Sequence, residues 1–219
     1  MTTTPASART TVRRGANRAV YEREQIDNIL RHGVIAHVGV NTSDGPIVLP
    51  MAYGVRGDEI LVHGALANAM MVAGRDIDVC LTITIVDGLV VARTPFHNSM
   101  NYRSVVVRGT ATAIDDPDQK MAALAVINDH IVKIWDTARA PSSSDVRKTL
   151  VLSVPLNEVS AKVRDGDPVD EEADMAGPHW AGVVPLTSTW GQPIPAADLR
   201  GSPATPDAIL AITNTDAHR

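Results

Sequence analysis

Apolar side chains recur at Ile26, Ile29 and Leu30 within EREQIDNILR, the spacing that places them on one helix face, and His32-Gly33 supplies a stop. The period then changes from helical to alternating. Two strand-like runs flank Ser43-Asp44-Gly45-Pro46, a strong hairpin signal, and EILVHGAL follows the tight turn at Gly57-Asp58. ANAMMVAGRD reads as a short helix ended by Gly74. VCLTITIVD and GLVVAR read as two strands turned at Asp87-Gly88, and SVVVRGTATAI as another. A helix is predicted from Asp118 to Trp135, with Met121, Leu124, Ala125, Ile127 and Ile131 as its buried stripe. TARAPSSSD reads as a loop, LVLSVPL as the final main strand, followed by EVSAKVR. Short strands joined mostly by tight turns, with few helices between them, predict a mainly β antiparallel barrel rather than a doubly wound sheet.

The pattern also divides the chain. Residues 1–17 carry Thr, Ala, Arg and Ser without periodicity and are expected to be a disordered arm. Residues 18–165 form one domain, uninterrupted by any linker. Residues 166–219 turn rich in Gly, Pro and acids, with one strand-like run, WAGVVPL, before a flexible tail.

Composition removes several function classes. At 219 residues with 44% hydrophobic content the chain can bury a sizeable core, but aromatics are only 3%, so each one's position carries information. A formal charge of −5 argues against a dedicated nucleic-acid binder. The single cysteine, Cys80, rules out an intramolecular disulfide and a Cys-rich zinc site, and no histidines pair at the i, i+4 helical spacing of a zinc site, so no metal centre is expected. No phosphate-binding GxGxxG or GxxxxGK[ST] follows a strand. Without a membrane-length apolar run or a secretory h-region, the expectation is a soluble cytoplasmic protein.

The richest chemistry lies between Val90 and Ala111, where strand-like runs flank a polar and aromatic insert: Arg93, Phe96, His97, Asn98, Ser99, Asn101, Tyr102, Arg103 and Ser104. Alternation sends Tyr102 and Ser104 to one face of a strand and Arg103 to the other. Lys162 and Arg164 in SAKVRDG likewise share a face, which points either to a bound anion or to solvent.

HNSMNYRSVVVRG, taken in order with HVGV, GPIVLPMAYG, LVHGA, SAKVRDGDP and WAGVVPL, resembles the pyridoxamine 5′-phosphate oxidase-related proteins, and within them the nitroimidazole-resistance branch. The resemblance spans about Arg18 to Leu186. It implies an FMN-binding split β-barrel, a homodimer with cofactor clefts at the subunit interface, and a flavin-dependent reductase of a small organic acceptor such as a nitro-heterocycle. Other relatives bind haem or a deazaflavin, so a non-catalytic binding protein is the alternative.

By that resemblance Asn101, Tyr102, Arg103 and Ser104 hold the cofactor and Thr82 and Thr84 border its ring, with Met51 a candidate for the ring slot; the competing readings are an ion pair for Arg103, core packing for Tyr102 and Met51, and plain strand propensity for Thr82 and Thr84. His63 matches the branch's active-site histidine, suited to donating a proton or packing beside the flavin edge; a structural histidine is the competing reading. Relatives carry a hydroxyl and a basic residue after the HG pair to receive phosphate. Here Ala67, Asn68 and Ala69 stand there, leaving Asn68 and the helix N-terminus as donors and Arg103 as the main cation. Lys162 and Arg164 are placed to add charge, and Trp180 to close a pocket.

Overall fold

The structure, a computed structural model, describes residues 4–65 and 76–218. Its strands in chain order are β1 (Ala19–Val20), β2 (Ala36–Thr42), β3 (Gly45–Met51), β4 (Tyr53–Arg56), β5 (Glu59–Ala65), β6 (Asp78–Val91), β7 (Ser99–Thr110), β8 (Thr112–Ala113), β9 (Thr149–Pro155), β10 (Val159–Arg164) and β11 (Gly182–Pro185). The helices are α1 (Arg23–His32), α2 (Pro117–Asn128), α3 (Ser143–Lys148), α4 (Glu172–Met175) and α5 (Asp207–Ile212).

These strands form two antiparallel sheets. The larger runs β1-β10-β7-β6-β2-β3, with β11 pairing the far end of β6; the smaller runs β4-β5-β9-β8. Their inward faces meet in one aliphatic core, to which β6 gives Leu81, Ile83 and Ile85, β7 gives Val105 and Val107, and β5 and β9 give Ile60, Val62, Leu150 and Leu152. The sheets do not close on each other. This is the mainly β split barrel that the alternating pattern predicted.

Two helices complete the core from opposite sides. Ile26, Ile29 and Leu30 of α1 are buried on the barrel core. α2 covers the other face of the smaller sheet, packing Ala123 and Ile127 on Leu61, Val151 and Ile114. Asp116 caps α2 by accepting from the backbone N–H groups of Asp118 and Gln119 at 3.1 and 2.9 Å, with Pro117 at the first helical position.

The differences from the sequence reading come from one tertiary contact and from local side-chain capping. No turn forms at Asp87-Gly88: β6 runs straight through, with a bulge between Val86 and Gly88. Gly88 serves close approach instead, because a Cβ there would lie 2.9 Å from the Val184 carbonyl oxygen on β11. α2 ends at Asn128, short of the predicted Trp135. The Asp129 carboxylate accepts from the backbone N–H groups of Ile134 and Trp135 at 2.9 and 2.7 Å, closing a compact turn that replaces the last helical turns. The expected loop before β9 contains α3, whose capping box joins Ser142 and Asp145.

The polar stretch after Val90 is not an insert either. Residues 92–98 connect β6 to β7, bending at Arg93 and Thr94 and forming a 3-10 turn at Pro95–His97, and Ser99 onward is strand. The N-terminal arm lies along the barrel. Thr10 is buried, Arg9 bridges Asp78 and Glu158 at 3.1 and 3.3 Å, and the Val12 N–H donates to the Tyr21 hydroxyl at 2.9 Å. The segment after β10 is also anchored. The fully buried Asp170 carboxylate accepts from the Arg93 backbone N–H and guanidinium, both at 2.8 Å, and the Arg93 guanidinium holds that carboxyl below its ordinary range. The short helix expected over ANAMMVAGRD lies outside the described residues. Among the described residues no helix is long and apolar enough to cross a membrane.

Candidate functional site

Strand register brings most of the expected site residues onto one surface. Thr84 lies opposite Ser104, and Ser104 opposite Lys162; Val86 lies opposite Tyr102, and Tyr102 opposite Arg164. Directly opposed residues point to the same face of a sheet. Thr82, Thr84, Tyr102, Ser104, Lys162 and Arg164 therefore share the outer face of the larger sheet, away from the core. Tyr102, Ser104, Thr82 and Lys162 are half-buried and Thr84 is exposed. This face offers hydroxyls, a phenol ring and a cation in one plane, the set that a flat heteroaromatic ring with a charged tail calls for.

Arg103 is elsewhere. It falls in the row Ile85–Arg103–Val163, on the opposite face of β7, as alternation predicted. There its guanidinium clamps Asp87 in a two-pronged pair, Nε–Oδ2 at 3.0 Å and Nη2–Oδ1 at 2.7 Å. That carboxylate raises the arginine's proton affinity and neutralises its charge. The role of main cation for a phosphate on the outer face therefore does not fit Arg103.

The remaining cations differ in freedom. The Lys162 ammonium donates to the Arg14 carbonyl at 2.8 Å and keeps its charge for another partner. Arg164 is buried and donates to Asn101 Oδ1 and, at 3.1 Å each, to the Gly166 and Asp167 carbonyls. Asn101, itself buried, donates to the Gly166 carbonyl at 3.1 Å. Asn101 and Arg164 thus brace the chain leaving β10. Burial first, then Arg18 nearby, lower the proton affinity of Arg164, partly opposed by Tyr102 and Asp165.

His63 stands apart from this face. It follows Val62 on β5 and so points out of the core, on the side of Leu61 and α2. It lines a cavity of about 420 Å³ whose walls are mainly Val34, Ala52, Leu124, Ile127, Ile131, Trp135 and Pro141. Burial lowers the His63 pKa, so its imidazole is neutral at pH 7.

The same cavity contains a histidine that the sequence reading missed. His130 Nε2 lies 2.8 Å from the Gly33 carbonyl, so Nε2 carries the proton and Nδ1 keeps its lone pair. Its ring packs on Tyr53 with centroids 4.2 Å apart. Burial lowers its pKa, partly opposed by the Gly33 contact. The Tyr53 hydroxyl, fully buried, donates to the Leu30 carbonyl at 2.6 Å and lies 3.0 Å from the Gly33 oxygen. Gly33 is required for this junction, since a Cβ there would meet the Tyr53 hydroxyl at 2.6 Å. The only signal in the sequence was a histidine just past a helix stop, and the predicted helix ran through it.

Two expectations lie outside the assembled sites. Among the described residues Trp180 is 63% exposed, its ring lying over Gly182. Asn68, with Ala67 and Ala69, falls outside the described residues. Met51 packs against the barrel core. Among the described residues no three His, Cys, Asp or Glu side chains gather closely enough to hold a metal ion.

A family model described as pyridoxamine 5′-phosphate oxidase matches residues 22–163. The structure is similar to that of the flavocytochrome Anf3 from Azotobacter vinelandii, at 34% identity over 95% of this chain and 98% of that one, with a TM-score of 0.91. It is similar also to an FAD- and haem-binding protein from Mycobacterium smegmatis, at 29% identity over 92% and 100% of the two chains, TM-score 0.86. A putative 5-nitroimidazole antibiotic resistance protein from Bacteroides thetaiotaomicron aligns at 26% identity over 66% of this chain and 86% of its own, TM-score 0.56. No curated protein matches.

Proposed function

The chain belongs to the pyridoxamine 5′-phosphate oxidase family, and from that premise we propose that it is a flavin-dependent oxidoreductase of a small organic acceptor that also carries haem. The flavin lies on the outer face of the larger sheet and the haem in the His63 cavity. The observation that carries this reading is the separation of two sites with different chemistry. One face presents Thr82, Thr84, Tyr102, Ser104 and Lys162 together; the other site is an apolar cavity holding a neutral imidazole. Two relatives that align over more than nine-tenths of this chain, described as a flavocytochrome and as an FAD- and haem-binding protein, support the same pairing.

The residues present fit both groups. A flavin supplies hydride or electrons when bound, and a haem relays single electrons. Thr84, Ser104 and Tyr102 provide hydroxyl and ring contacts, and Lys162 provides the charge for a phosphate. His63, kept neutral by burial, would offer a nitrogen lone pair to iron, with Leu124, Ile127, Ile131 and Trp135 as apolar walls around it. The outer face remains open on one chain, and pairing of two copies over it is part of the proposal. A nitro-heterocycle remains among the acceptors, supported by the likeness to the resistance protein. No observation favours a deazaflavin.

Absorbance spectra of the purified protein, before and after adding FMN, FAD and haemin, test this directly. Flavin bands and a Soret band are expected, the Soret band being lost in His63→Ala while flavin binding persists. A folded protein that takes up neither group at micromolar concentration refutes the proposal.

A further inference from the structure

The outer face of the larger sheet lacks one thing that flavin chemistry on a small acceptor requires. A hydride brings two electrons and one proton, so the acceptor needs a second proton to leave as a neutral product. His63, the histidine that the resemblance offers for that task, sits on β5 in the smaller sheet. Histidine is the side chain whose charge ordinarily changes between pH 5 and 8. In the strands of the larger sheet there is one, His37 on β2.

Strand register puts that imidazole on the flavin face. His37 lies opposite Pro50 on one side and Thr82 on the other, and Thr82 lies opposite Val106. The row Pro50–His37–Thr82–Val106 therefore shares the outer face with the adjoining row Thr84–Ser104–Lys162. With a phosphate at Lys162 on β10, the face spans three inter-strand steps of about 4.8 Å to β2, roughly 14 Å, so the ring end of the ligand lies toward β6 and β2. His37 is exposed there, and among the described residues no hydrogen bond or ion pair ties its imidazole. Its neighbours on β3, β6 and β7, namely Pro50, Thr82, Thr84, Val106 and Ser104, carry no charge. The titratable or charged groups facing the same way are Cys80 and Arg108 in the adjoining row beside Gly39, and Lys162 at the far end of the row on the other side.

The geometry points to His37 as the catalytic proton donor of the flavin face, the group that protonates the acceptor as it is reduced. This rests on the placement of the flavin proposed above and adds to it the residue that completes the reaction. The His37 imidazolium gives one N–H proton to the acceptor and recovers it from water, to which its exposed edge is open. The hydride, with both electrons, comes from the reduced flavin, which is thereby oxidised, and a quinone taken as acceptor becomes the hydroquinone. The division of labour follows the strands: Lys162 holds the anionic end on β10, the hydroxyls of Ser104 and Thr84 lie between, and His37 serves the reacting end on β2. His63 is left free for the apolar cavity on the other sheet.

Two measurements on the full chain and on His37→Gln, each loaded with FMN or FAD, test the inference. The replaced side chain is exposed, so the variant keeps the core, which circular dichroism checks, and its uptake of oxidised flavin is measured first. Protein reduced with dithionite is then mixed anaerobically with tetramethyl-1,4-benzoquinone between pH 5 and 8.5, and flavin reoxidation is followed in a single turnover. Positioned general acids contribute 10²–10⁴-fold, so the variant is expected to reoxidise at least tenfold more slowly at pH 6 and to lose the natural chain's fall in rate with rising pH. The midpoint potential of the bound flavin, read over the same range, is expected to show a change of slope in the natural chain that His37→Gln lacks, because proton binding and reduction at adjacent groups are linked. A variant that holds flavin and matches the natural chain in either measurement overturns the inference and leaves the flavin site standing. A natural chain that takes up no flavin overturns both.

Discussion

Tyr53→Phe tests the junction on which both the barrel core and the His63 cavity rest. The phenol has one proton and two carbonyls near it, and the shorter contact, 2.6 Å to Leu30, receives that proton. Leu30 is in the last turn of α1, where carbonyls lack an intrahelical partner. Its oxygen therefore depends on this hydroxyl, whereas the Gly33 oxygen keeps His130 at 2.8 Å. Phe preserves the ring, its packing and the 4.2 Å contact with His130, so no cavity opens. What remains is one buried carbonyl without a donor, a cost of about 1–3 kcal/mol. With a urea dependence of roughly 2–3 kcal/mol/M for a chain of this size, the unfolding midpoint should fall by about 0.3–1.5 M at unchanged slope. Equilibrium urea unfolding at pH 7, followed by circular dichroism, measures it. A midpoint that moves by less than about 0.1 M, or rises, would refute the claim that the phenol satisfies the helix end.

Two further predictions follow from charge. Burial lowers the pKa of both His63 and His130 from 6.5, so below that pH the unfolded chain binds more protons than the folded one. Stability should be level above about pH 6.5, fall as pH drops from there to the folded values, and level again below them, while Asp129 and Asp170 act only in the carboxylate range, below 3.8. Unfolding midpoints between pH 5 and 7.5 should flatten in the His63→Gln/His130→Gln double variant, and an unchanged slope there would contradict the assignment. Flavin titration calorimetry should show Lys162→Ala weakening affinity about tenfold, the loss of one charge-assisted hydrogen bond of about 1.5 kcal/mol, with Arg103→Ala within twofold of the natural chain. The reverse order would move the phosphate to the inner side of β7.

The parts of the fold legible in the sequence were those governed by local periodicity. Ile26, Ile29 and Leu30 announce α1 by spacing alone, and the alternation in LTITI orders β6 without reference to its neighbours. Asp87-Gly88 looked like a turn because Asp-Gly usually is one. The glycine is instead required by a strand arriving from nearly a hundred residues later, and no local window contains that strand. Asp129 is a similar case, since its carboxylate turns the chain by accepting from Ile134 and Trp135 where the apolar stripe alone suggested continued helix. The N-terminal arm has no period to read, and its contacts with the barrel, through the buried Thr10, the Arg9 ion pairs and the Val12–Tyr21 hydrogen bond, leave no local pattern.

The site divides along the same line. Alternation alone separated Tyr102 and Ser104 from Arg103, and cross-strand register then added Thr82, Thr84 and Lys162 to the first pair. Which cation is free to meet a ligand was not legible, because it depends on Asp87, sixteen residues from Arg103 and brought beside it only by β6 pairing with β7. The same pairing fixes the direction of the charge. With Arg103 neutralised on the inner side and Arg164 held by neutral groups of the chain leaving β10, Lys162 is the cation of this site-bearing row that can change partners without exposing a buried charge. An anionic tail on the outer face therefore has to run toward β10 and β1, away from β11. That leaves the β11 end of the face, with Leu89, Met100 and Val184, to apolar contact.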